Sequence, residues 1–351
     1  MENQHLSYFQ VHNFKKFDFL EVSEIGQFNL IVGDNNSGKT TFLESLVFDD
    51  SNYHQFLRNL WASLSQARHI TIPDGNSVNY LDFYLNDKNS PIEYRYSYTN
   101  SKEQKLIARK VLLSELDSLS LESLKDKIII HKGTQHLIQF VLNDKVDNIF
   151  ITYGNEPGTF QSYIPFIFFG LNYQTDLIDF FSETTQQSTK KLAELVETLK
   201  FMIPNIKSIE ISTAVMPKNP ILIIREENED NPKAISMYGD GLNKVLRYIL
   251  EINKCRNKRL MIDEIDTGIH HSRMKDFWKI ILRTSMENNV QLFTTTHSKE
   301  CVENYTVALQ ELKMESKGRI IRLSDTKTGI KSYTMKYEEF SNSLEAESEI
   351  R

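Results

Sequence analysis

The chain has 351 residues, of which 40% are hydrophobic and 25% are charged, and its formal net charge is −6. This length suggests one large or two modest domains, with enough apolar residues for a substantial core. The negative charge excludes a nucleic-acid-binding polycation.

The cysteines and the apolar segments indicate the cellular compartment. Cys255 and Cys301 are far apart and form no CxxC motif, which is typical of a reducing interior rather than of a disulfide framework. The N-terminus has no apolar signal core, and no stretch approaches ~20 uncharged apolar residues. We therefore expect a soluble cytoplasmic protein without a membrane partner.

The first predicted elements are three β-strands and the loop that follows them. The strands are LSYFQVHNF, FDFLEV and QFNLIV, and the last of them leads into GDNNSGKTTFLESL at residues 33–46. The spacing Gly33-x-x-x-x-Gly38-Lys39-Thr40 fits a phosphate-binding P-loop, whose backbone N–H groups surround phosphate oxygens. The alternative interpretation is a chance glycine-rich turn before an amphipathic helix.

Each residue type in this loop suits a bound triphosphate. Glycine allows backbone torsions and a close approach that a Cβ atom would obstruct. Lys39 would place a positive charge on the β- and γ-phosphates, and the Thr40 hydroxyl would coordinate Mg²⁺. The following segment, TFLESLVF, is predicted to be a helix whose N-terminal dipole adds to the same anion site.

The region after this loop changes character, and we predict an insertion with a β-rich part and helices over residues 51–205. Its first predicted helix is SNYHQFLRNLWASLSQA, and its predicted strands are YLDFYL, IEYRYSY, HLIQFVL and NIFITYG. The apolar segment YIPFIFFGL (residues 163–171) has the length of a buried strand. A helical pair is predicted over residues 176–204, and it is far too short for a long coiled-coil arm.

The last part of the chain alternates predicted strands and helices. The strands IKSIEI and NPILIIRE precede, in order, the helix GLNKVLRYILEINK, the strand RLMIDE, the helix HSRMKDFWKIILRTSMEN, the strand VQLFTTT and the helix KECVENYTVALQELK. This rhythm indicates an α/β fold with a parallel sheet covered by helices. Residues 1–50 and 206–351 are predicted to form the core, interrupted by the insertion.

Two adjacent carboxylates end the buried-strand pattern RLMIDE. Asp263 would support the Mg²⁺ shell together with Thr40 and water. Glu264 is placed to face the γ-phosphate and to orient or deprotonate the attacking water. The alternative is an Asp-Glu pair at a helix start, where carboxylates interact favourably with the helix dipole.

Two further segments carry candidate residues. QLFTTTHS ends a predicted strand with His297, which is suited to contact the γ-phosphate, although a lone histidine is often a surface or core residue. SMYGDGLNK, which starts at Ser236, places a Gly-Asp-Gly turn before a helix. This segment is either an ordinary capped helix start or an anion-binding helix N-terminus that closes on the nucleotide of another subunit.

The order of these motifs resembles the ABC-type ATPase heads, which include SMC proteins, RecF-like repair ATPases and the overcoming-lysogenization-defect (OLD) nucleases. YGDGLNKVL, IDEIDTGIHHSRM and FTTTHSKECVE are most similar to OLD-like ATPases of bacterial phage-defence modules. The resemblance covers roughly residues 6–50 and 206–351. It implies an ABC-type head with a mainly parallel central sheet, an antiparallel β subdomain and the β-rich and helical insertion described above.

The resemblance also implies roles for individual residues. Asp263 supports Mg²⁺, Glu264 is the catalytic carboxylate, and Lys39 and His297 act with it, His297 as the switch histidine. Asp266 belongs to the D-loop at a dimer interface. The residues that bind ATP are Gly33, Asp34, Asn35, Asn36, Ser37, Gly38, Lys39, Thr40 and Thr41, and those of the signature supplied in trans are Ser236, Gly239 and Gly241.

This sequence departs from the family pattern at two places. The signature is not LSGGQ, and the Q-loop glutamine has only Gln161 and Gln174 as candidates. OLD nucleases also carry a C-terminal TOPRIM domain, for which we expect no room after EAESEIR. A nuclease would then be another polypeptide.

The resemblance implies an ATP- and Mg²⁺-dependent switch that forms a homodimer, or a higher homo-oligomer, through an ATP sandwich. Its function would be bacterial antiviral defence, with a separate effector such as a TOPRIM-like nuclease and with a phage protein or DNA as trigger. Two alternatives stay open. One is a DNA-repair or chromosome-maintenance ATPase, recognised by DNA-stimulated hydrolysis with a steep salt dependence. The other is a nucleotide-bound scaffold that does not hydrolyse ATP.

Overall fold

The computed structural model describes residues 5–63, 80–112, 114, 136–147, 164–171, 173, 176–185, 188–213 and 220–345 of the chain. The strands in these ranges are β1 Leu6–Phe14, β2 Phe17–Val22, β3 Phe28–Val32, β4 Ile92–Tyr98, β5 Gln104–Leu112, β6 His136–Leu142, β7 Lys145–Asp147, β8 Phe166–Ile167, β9 Ile206–Ser212, β10 Ile221–Glu226, β11 Lys233–Ala234, β12 Arg259–Ile262, β13 Gln291–Thr295, β14 Gly318–Thr326 and β15 Gly329–Lys336.

The α-helices in the same ranges are α1 Lys39–Ser45, α2 Tyr53–Ala62, α3 Leu177–Thr185, α4 Thr189–Leu199, α5 Asp240–Lys254, α6 Met274–Glu287, α7 Lys299–Glu311 and α8 Tyr337–Glu345. Short 3₁₀ helices lie at Tyr80–Phe83, Ile235–Tyr238, His271–Arg273 and Glu315–Lys317. Within the described part of the chain, none of the helices is long and apolar enough to cross a membrane.

The central sheet has the strand order β15-β14-β3-β13-β12-β8. Its neighbouring strands are parallel except for β15, which forms an antiparallel hairpin with β14. All residues of β3 and β13 are buried, as expected for strands covered on both faces. The carboxyl ends of β3, β13 and β12 therefore meet at one edge of the sheet, where ligand sites of open α/β sheets form.

Two cores cover the two faces of this sheet, because successive side chains of a strand point to opposite faces. Ile31, Met261 and Phe293 pack with α1 and the antiparallel sheet β2-β1-β4-β5-β6-β7. Leu30 and Ile262 pack on the other side, where α3–α8 and the small sheet β11-β10-β9 lie. Helix α1 is thus held between two sheets, which fixes the loop at its N-terminus.

The predicted fold class is confirmed: the structure is an α/β head with a mainly parallel central sheet and an antiparallel β subdomain. The division into 1–50 with 206–351 and an insertion over 51–205 stays a prediction. The structure adds that β4 pairs with β1 and that β8 pairs with β12. Both sheets therefore continue across the predicted boundaries.

One strand prediction is wrong, a second is confirmed over only two residues, and a third lies outside the described residues. YLDFYL contains the 3₁₀ helix Tyr80–Phe83, because Leu81, Tyr84 and Leu85 are buried at the i, i+3, i+4 spacing of a helical turn. Within the described residues 164–171 of YIPFIFFGL, the strand is Phe166–Ile167, and the chain turns at Gly170 (φ 86°). NIFITYG (residues 148–154) is not among the described residues.

The sequence analysis did not predict the hairpin β14–β15 or strand β5. The other predicted strands and helices of the described ranges are present, including the helical pair α3 and α4.

Candidate active site

The loop after β3 has the conformation that its glycines permit. Gly33 has φ 146° and Gly38 has φ 98°, so both lie where L residues rarely occur. A Cβ on Gly33 would lie 2.2 Å from the carbonyl oxygen of Leu323, and one on Gly38 would lie 2.8 Å from the ring of Phe17. The neighbouring strands β14 and β2 therefore require glycine at both positions.

Lys39 closes this loop on itself. Its ammonium donates to the carbonyl oxygens of Gly33 at 2.7 Å and Asp34 at 2.8 Å, and the residue is 6% exposed. Burial lowers the pKa of Lys39, whereas the nearby charges of Asp263, Asp34 and Glu264 raise it. A sheltered cation at the loop is thus surrounded by carbonyl and carboxylate oxygens.

Thr40 joins the loop to the end of β12. Its Oγ1 donates to Oδ2 of Asp263 at 2.9 Å, and the Thr295 hydroxyl donates to the other carboxylate oxygen at 2.6 Å. Asp263 is buried, and its backbone N–H donates to the carbonyl of Ile167 at 2.8 Å. The carboxylate is therefore held by hydroxyls from the start of α1 and from the end of β13, and the Asp263 backbone is held by β8.

The same oxygens are suited to magnesium, which prefers hard oxygen ligands and retains several waters or phosphate oxygens. The described residues contain no group of three or more His, Cys, Asp or Glu that could hold a metal ion. The pair Thr40 and Asp263 therefore fits Mg²⁺ only in a shell completed by phosphate and water oxygens, which is the shell that a P-loop nucleotide supplies.

Glu264 directly follows Asp263 in the sequence and has an uncommon backbone conformation. Its φ is 49°, in the left-handed region that non-glycine residues rarely adopt. Its N–H donates to Thr295 Oγ1 at 2.8 Å, and its Oε2 accepts a bond of 3.3 Å from the Thr267 hydroxyl. The carboxylate is partly exposed, so water can reach it.

Residues 263–267, which we call the acidic turn, are anchored on β13. Ile265 N–H donates to the carbonyl of Thr295 at 3.1 Å, and Asp266 Oδ1 accepts from the Thr296 hydroxyl at 2.8 Å. His297 follows Thr296 and is exposed, immediately before Ser298, the N-cap of α7. His297 thus emerges at the same sheet edge as the P-loop, and its role stays a prediction.

The signature segment, which comprises residues 236–241, lies at the start of α5. Ser236 and Gly239 are exposed, and Gly239 has φ 84°. A Cβ on Gly241 would lie 3.3 Å from the carbonyl oxygen of Gly268, so Gly241 packs closely behind the acidic turn. Ser236 and Gly239 are open to solvent and lie outside the hydrogen-bonded network of the P-loop and the acidic turn.

The structure adds three residues that the sequence analysis missed. Thr295 contacts both Asp263 and Glu264, and Lys244 donates to two carbonyls of the acidic turn. Lys16 donates to the carbonyl of Asn36 in the P-loop. The repeated threonines of TTTHS and the lysine pair of NFKKF were the available signals. The Q-loop candidates Gln161 and Gln174 lie outside the described residues.

A protein-family model matches the part of the sequence that contains these motifs. The AAA_21 model, described as "AAA domain, putative AbiEii toxin, Type IV TA system", matches residues 28–303. The chain belongs to this AAA_21 family. Its matched range contains the P-loop, the signature segment, the acidic turn and His297, and it classifies the protein as a P-loop NTPase.

One relative and two solved structures extend the comparison. An ATP/GTP phosphatase of Helicobacter pylori (strain ATCC 700392 / 26695) is 23% identical over 335 residues, which are 86% of this chain and 88% of that protein. An SMC head bound to the C-winged helix domain of ScpA has a TM-score of 0.55 at 13% identity, covering 96% of this chain and 99% of that chain.

A Smc head domain with an extended coiled coil, bound to the C-terminal domain of ScpA derived from Pyrococcus furiosus, has a TM-score of 0.51 at 13% identity, covering 97% and 99% of the two chains. At this identity the likeness establishes the fold alone. The AAA_21 protein therefore has the ABC-type head fold that its motifs predicted, and the narrower resemblance to OLD-like ATPases stays a prediction.

Proposed function

We propose that this protein hydrolyses ATP, and that ATP joins two copies of it into the switch of an antiviral defence system with a separate effector. One observation carries the hydrolysis: the Thr40–Asp263–Thr295 contacts join the P-loop to the acidic turn, with Glu264 adjacent. Phosphate-binding, magnesium-binding and water-activating groups thereby lie at one sheet edge.

Nucleotide binding would use backbone and side-chain donors of the P-loop. Backbone N–H groups of the loop and the N-terminus of α1 would bind the phosphates. Lys39 would exchange the carbonyls of Gly33 and Asp34 for phosphate oxygens, which form stronger, charge-assisted hydrogen bonds. The Ser37 hydroxyl is buried and has no hydrogen-bond partner among the described residues, so a phosphate oxygen would also satisfy this donor.

Hydrolysis would depend on Glu264. Its carboxylate orients a water molecule and accepts its proton while the water oxygen bonds to the γ-phosphorus and the bond to the β–γ bridging oxygen breaks. Thr40 and Asp263 would hold Mg²⁺, which would supply positive charge to offset the negative charge that develops on the phosphate oxygens. Thr295 keeps the Glu264 backbone in place through the bond to its N–H.

Dimerisation would cover the signature segment. Gly239 has open space around its Cα, Ser236 is exposed, and Met237 between them is 72% exposed. The helix N-terminus that follows these residues is therefore accessible to an anion carried by another molecule. A second copy related by two-fold symmetry would bring its P-loop phosphates to this helix N-terminus.

The defence role and the nucleotide are supported by the relatives. The family description names a putative AbiEii toxin and a type IV toxin–antitoxin system, and the Helicobacter pylori relative is an ATP/GTP phosphatase. ATP as substrate, a homodimer, a separate effector such as a TOPRIM-like nuclease, and a phage protein or DNA as trigger are our proposals for this chain.

The test of hydrolysis is phosphate release from ATP by the purified protein and by Glu264→Gln. The glutamine keeps the shape but cannot take the proton, so turnover should fall roughly 10²–10⁴-fold. Glu287→Gln, an exposed carboxylate of α6, is the matched control and should keep wild-type turnover. Equal rates for wild type and Glu264→Gln would contradict the assignment.

The defence role is tested in cells. The protein expressed with its neighbouring genes should reduce phage plaque formation, and Glu264→Gln in the same background should remove that protection. Protection that survives this substitution, with ATP binding intact, would favour a scaffold that does not hydrolyse ATP. Hydrolysis that DNA stimulates with a steep salt dependence would instead favour a repair or chromosome-maintenance ATPase.

A further inference from the structure

Lys244 is a buried lysine on α5. It is 2% exposed, and its ammonium donates to the carbonyl oxygen of Glu264 at 3.3 Å and to that of Thr267. Buried charges require such partners because desolvation is costly. Lys244 therefore bridges the backbone of the acidic turn to the helix that begins at the signature segment.

Aromatic rings and carboxylates near Lys244 stabilise its positive charge. The ammonium lies 5.3 Å from the centre of the Tyr173 ring and 5.6 Å from that of Tyr248, and aromatic faces attract cations. Burial lowers the pKa of Lys244 to about 8, and the charges of Asp266 and Glu264 raise it. The side chain is therefore mostly protonated near neutral pH, with Tyr173 from the segment after β8 on one side.

The acidic turn needs such support because Glu264 has a strained backbone. A non-glycine residue at φ 49° lies in a sparsely populated backbone region, and this conformation persists only where the surroundings hold it. Its N–H bonds to Thr295, and its carbonyl accepts from both Lys244 and the N–H of Thr267, the latter at 3.2 Å. The direction of the Glu264 side chain follows from this backbone.

A cavity separates part of the first turns of α5 from the acidic turn. This cavity of about 340 Å³ is lined by Asp240 and Asn243 of α5, by Thr267 of the acidic turn and by Gly268, which directly follows that turn. Lys244 lines the same cavity and crosses to the turn with its ammonium. A shift of the first turn of α5 would therefore reach the acidic turn through Lys244 and through the close approach of Gly241 to Gly268.

We propose that Lys244 is a positioning residue: it holds the acidic turn in the geometry that aims the Glu264 carboxylate, and it transmits to that turn the position of the α5 N-terminus. This inference rests on the proposed roles of Glu264 and of the signature segment. Lys244 lies three residues after Gly241, less than one helical turn. A partner's nucleotide bound at the signature segment would thereby adjust the hydrolytic group of the same chain.

The first experiment compares turnover and binding for Lys244→Met, which keeps the apolar stem and removes the ammonium. We expect kcat to fall roughly 10–100-fold, because a displacement near 1 Å of a catalytic group has this effect. The Kd for ATP should stay within about twofold, since Lys244 bonds to the acidic turn and not to the P-loop. Lys254→Met, at the far end of the same helix, is the matched control and should leave kcat unchanged.

A double mutant separates positioning from general damage to the fold. If Lys244 acts through Glu264, Lys244→Met should lower the residual turnover of Glu264→Gln by less than about twofold, because effects on one shared function are not additive. A full further loss in the double mutant would overturn the proposal. The proposal would also be overturned if kcat of Lys244→Met stayed within twofold of the wild-type value while Glu264→Gln showed its expected loss of turnover.

Amide hydrogen exchange tests the contact without hydrolysis. Peptides that cover residues 264–268 should exchange faster in Lys244→Met than in wild type, whereas Lys254→Met should not differ. Unchanged exchange would overturn the proposal, and absence of hydrolysis in wild type would overturn only the proposed function. If Lys244→Met does not fold, Lys244→Gln, which offers a single amide donor group, is measured in the same way with the same expected directions.

Discussion

Thr295 connects the two carboxylate residues of the site through a single oxygen. Its hydroxyl donates to Asp263 Oδ1 at 2.6 Å and accepts from the Glu264 N–H at 2.8 Å. Thr295 is fully buried, so water cannot replace either bond. The positions of Asp263, which we propose binds Mg²⁺, and of Glu264, which we propose activates water, therefore both depend on this side chain.

Thr295→Val keeps the shape and removes the oxygen. The Glu264 N–H then loses its acceptor, which costs about 1–3 kcal/mol for a buried group, and both carboxylates lose a positional constraint. We expect turnover to fall at least roughly 10-fold by misplacement of these groups, measured by phosphate release, together with a lower free energy of unfolding in urea titration.

Thr295→Ser is the matched control, because it keeps the hydroxyl and loses only a methyl group. It should retain most of the turnover. Wild-type turnover in the valine variant would show that the Thr295 bonds do not position the hydrolytic residues.

Lys39 is the cation of the P-loop, and its removal tests nucleotide binding. Lys39→Ala should weaken ATP binding at least roughly 10-fold, because hydrogen bonds to charged groups contribute about 1.5–3 kcal/mol each. Isothermal titration calorimetry measures this change. Lys190→Ala, an exposed lysine of α4, should bind ATP as wild type does, and equal affinity in Lys39→Ala would contradict the P-loop assignment.

The sequence predicted those site residues whose motif includes a strand end. Thr40 and Asp263 are 223 positions apart, yet their side chains form a bond of 2.9 Å, because both follow parallel strands of one sheet. Thr295 and Lys244 escaped prediction for a physical reason. Their roles depend on which backbone groups they face after folding, and neither a threonine in TTT nor a lysine in a helix specifies that partner.

At the scale of elements, periodicity predicted long segments better than short ones. Helix α5 spans 15 residues with a clear apolar face and matches its prediction. YLDFYL is too short for its period to separate a strand from a helical turn, and the buried positions Leu81, Tyr84 and Leu85 decided for the turn. The two-residue strand β8 is defined by its pairing with β12, which no local pattern reveals.

The start of α5 is the element whose role in trans can be tested by mixing variants. Lys39→Ala removes the P-loop cation, and Ser236→Asp places a negative charge at the signature, where it would repel phosphate. Ser236 is exposed, so this substitution should leave the fold intact, unlike a change at the packed Gly241. Each variant alone should be inactive in phosphate release.

Mixed one to one with free exchange of subunits, about half of the dimers contain one chain of each kind, and one of their two sites is fully wild type. Independent sites would then restore about a quarter of wild-type turnover. A mixture of wild type with Lys39→Ala controls for strict coupling between the two sites. If that control retains one-site activity and the two-variant mixture stays inactive, the signature does not act in trans.

At the scale of the whole molecule, the architecture concentrates the site at one sheet edge and leaves the signature segment exposed. Helix α1 is packed between two sheets, so the P-loop is held on a rigid support. The signature segment begins a helix on the opposite core and reaches solvent with Ser236, Met237 and Gly239. Each copy thus offers a supported nucleotide loop and an exposed helix start, which is the complementarity that a two-fold dimer requires.

ATP-dependent dimerisation of a variant that cannot hydrolyse its nucleotide is the most direct test of the central proposal. Multi-angle light scattering of Glu264→Gln with saturating ATP and Mg²⁺ should give about twice the mass of one chain. The same protein without ATP should give the mass of one chain, as should Glu264→Gln combined with Ser236→Asp in the presence of ATP. A single-chain mass for Glu264→Gln under conditions where calorimetry shows ATP bound would contradict the account.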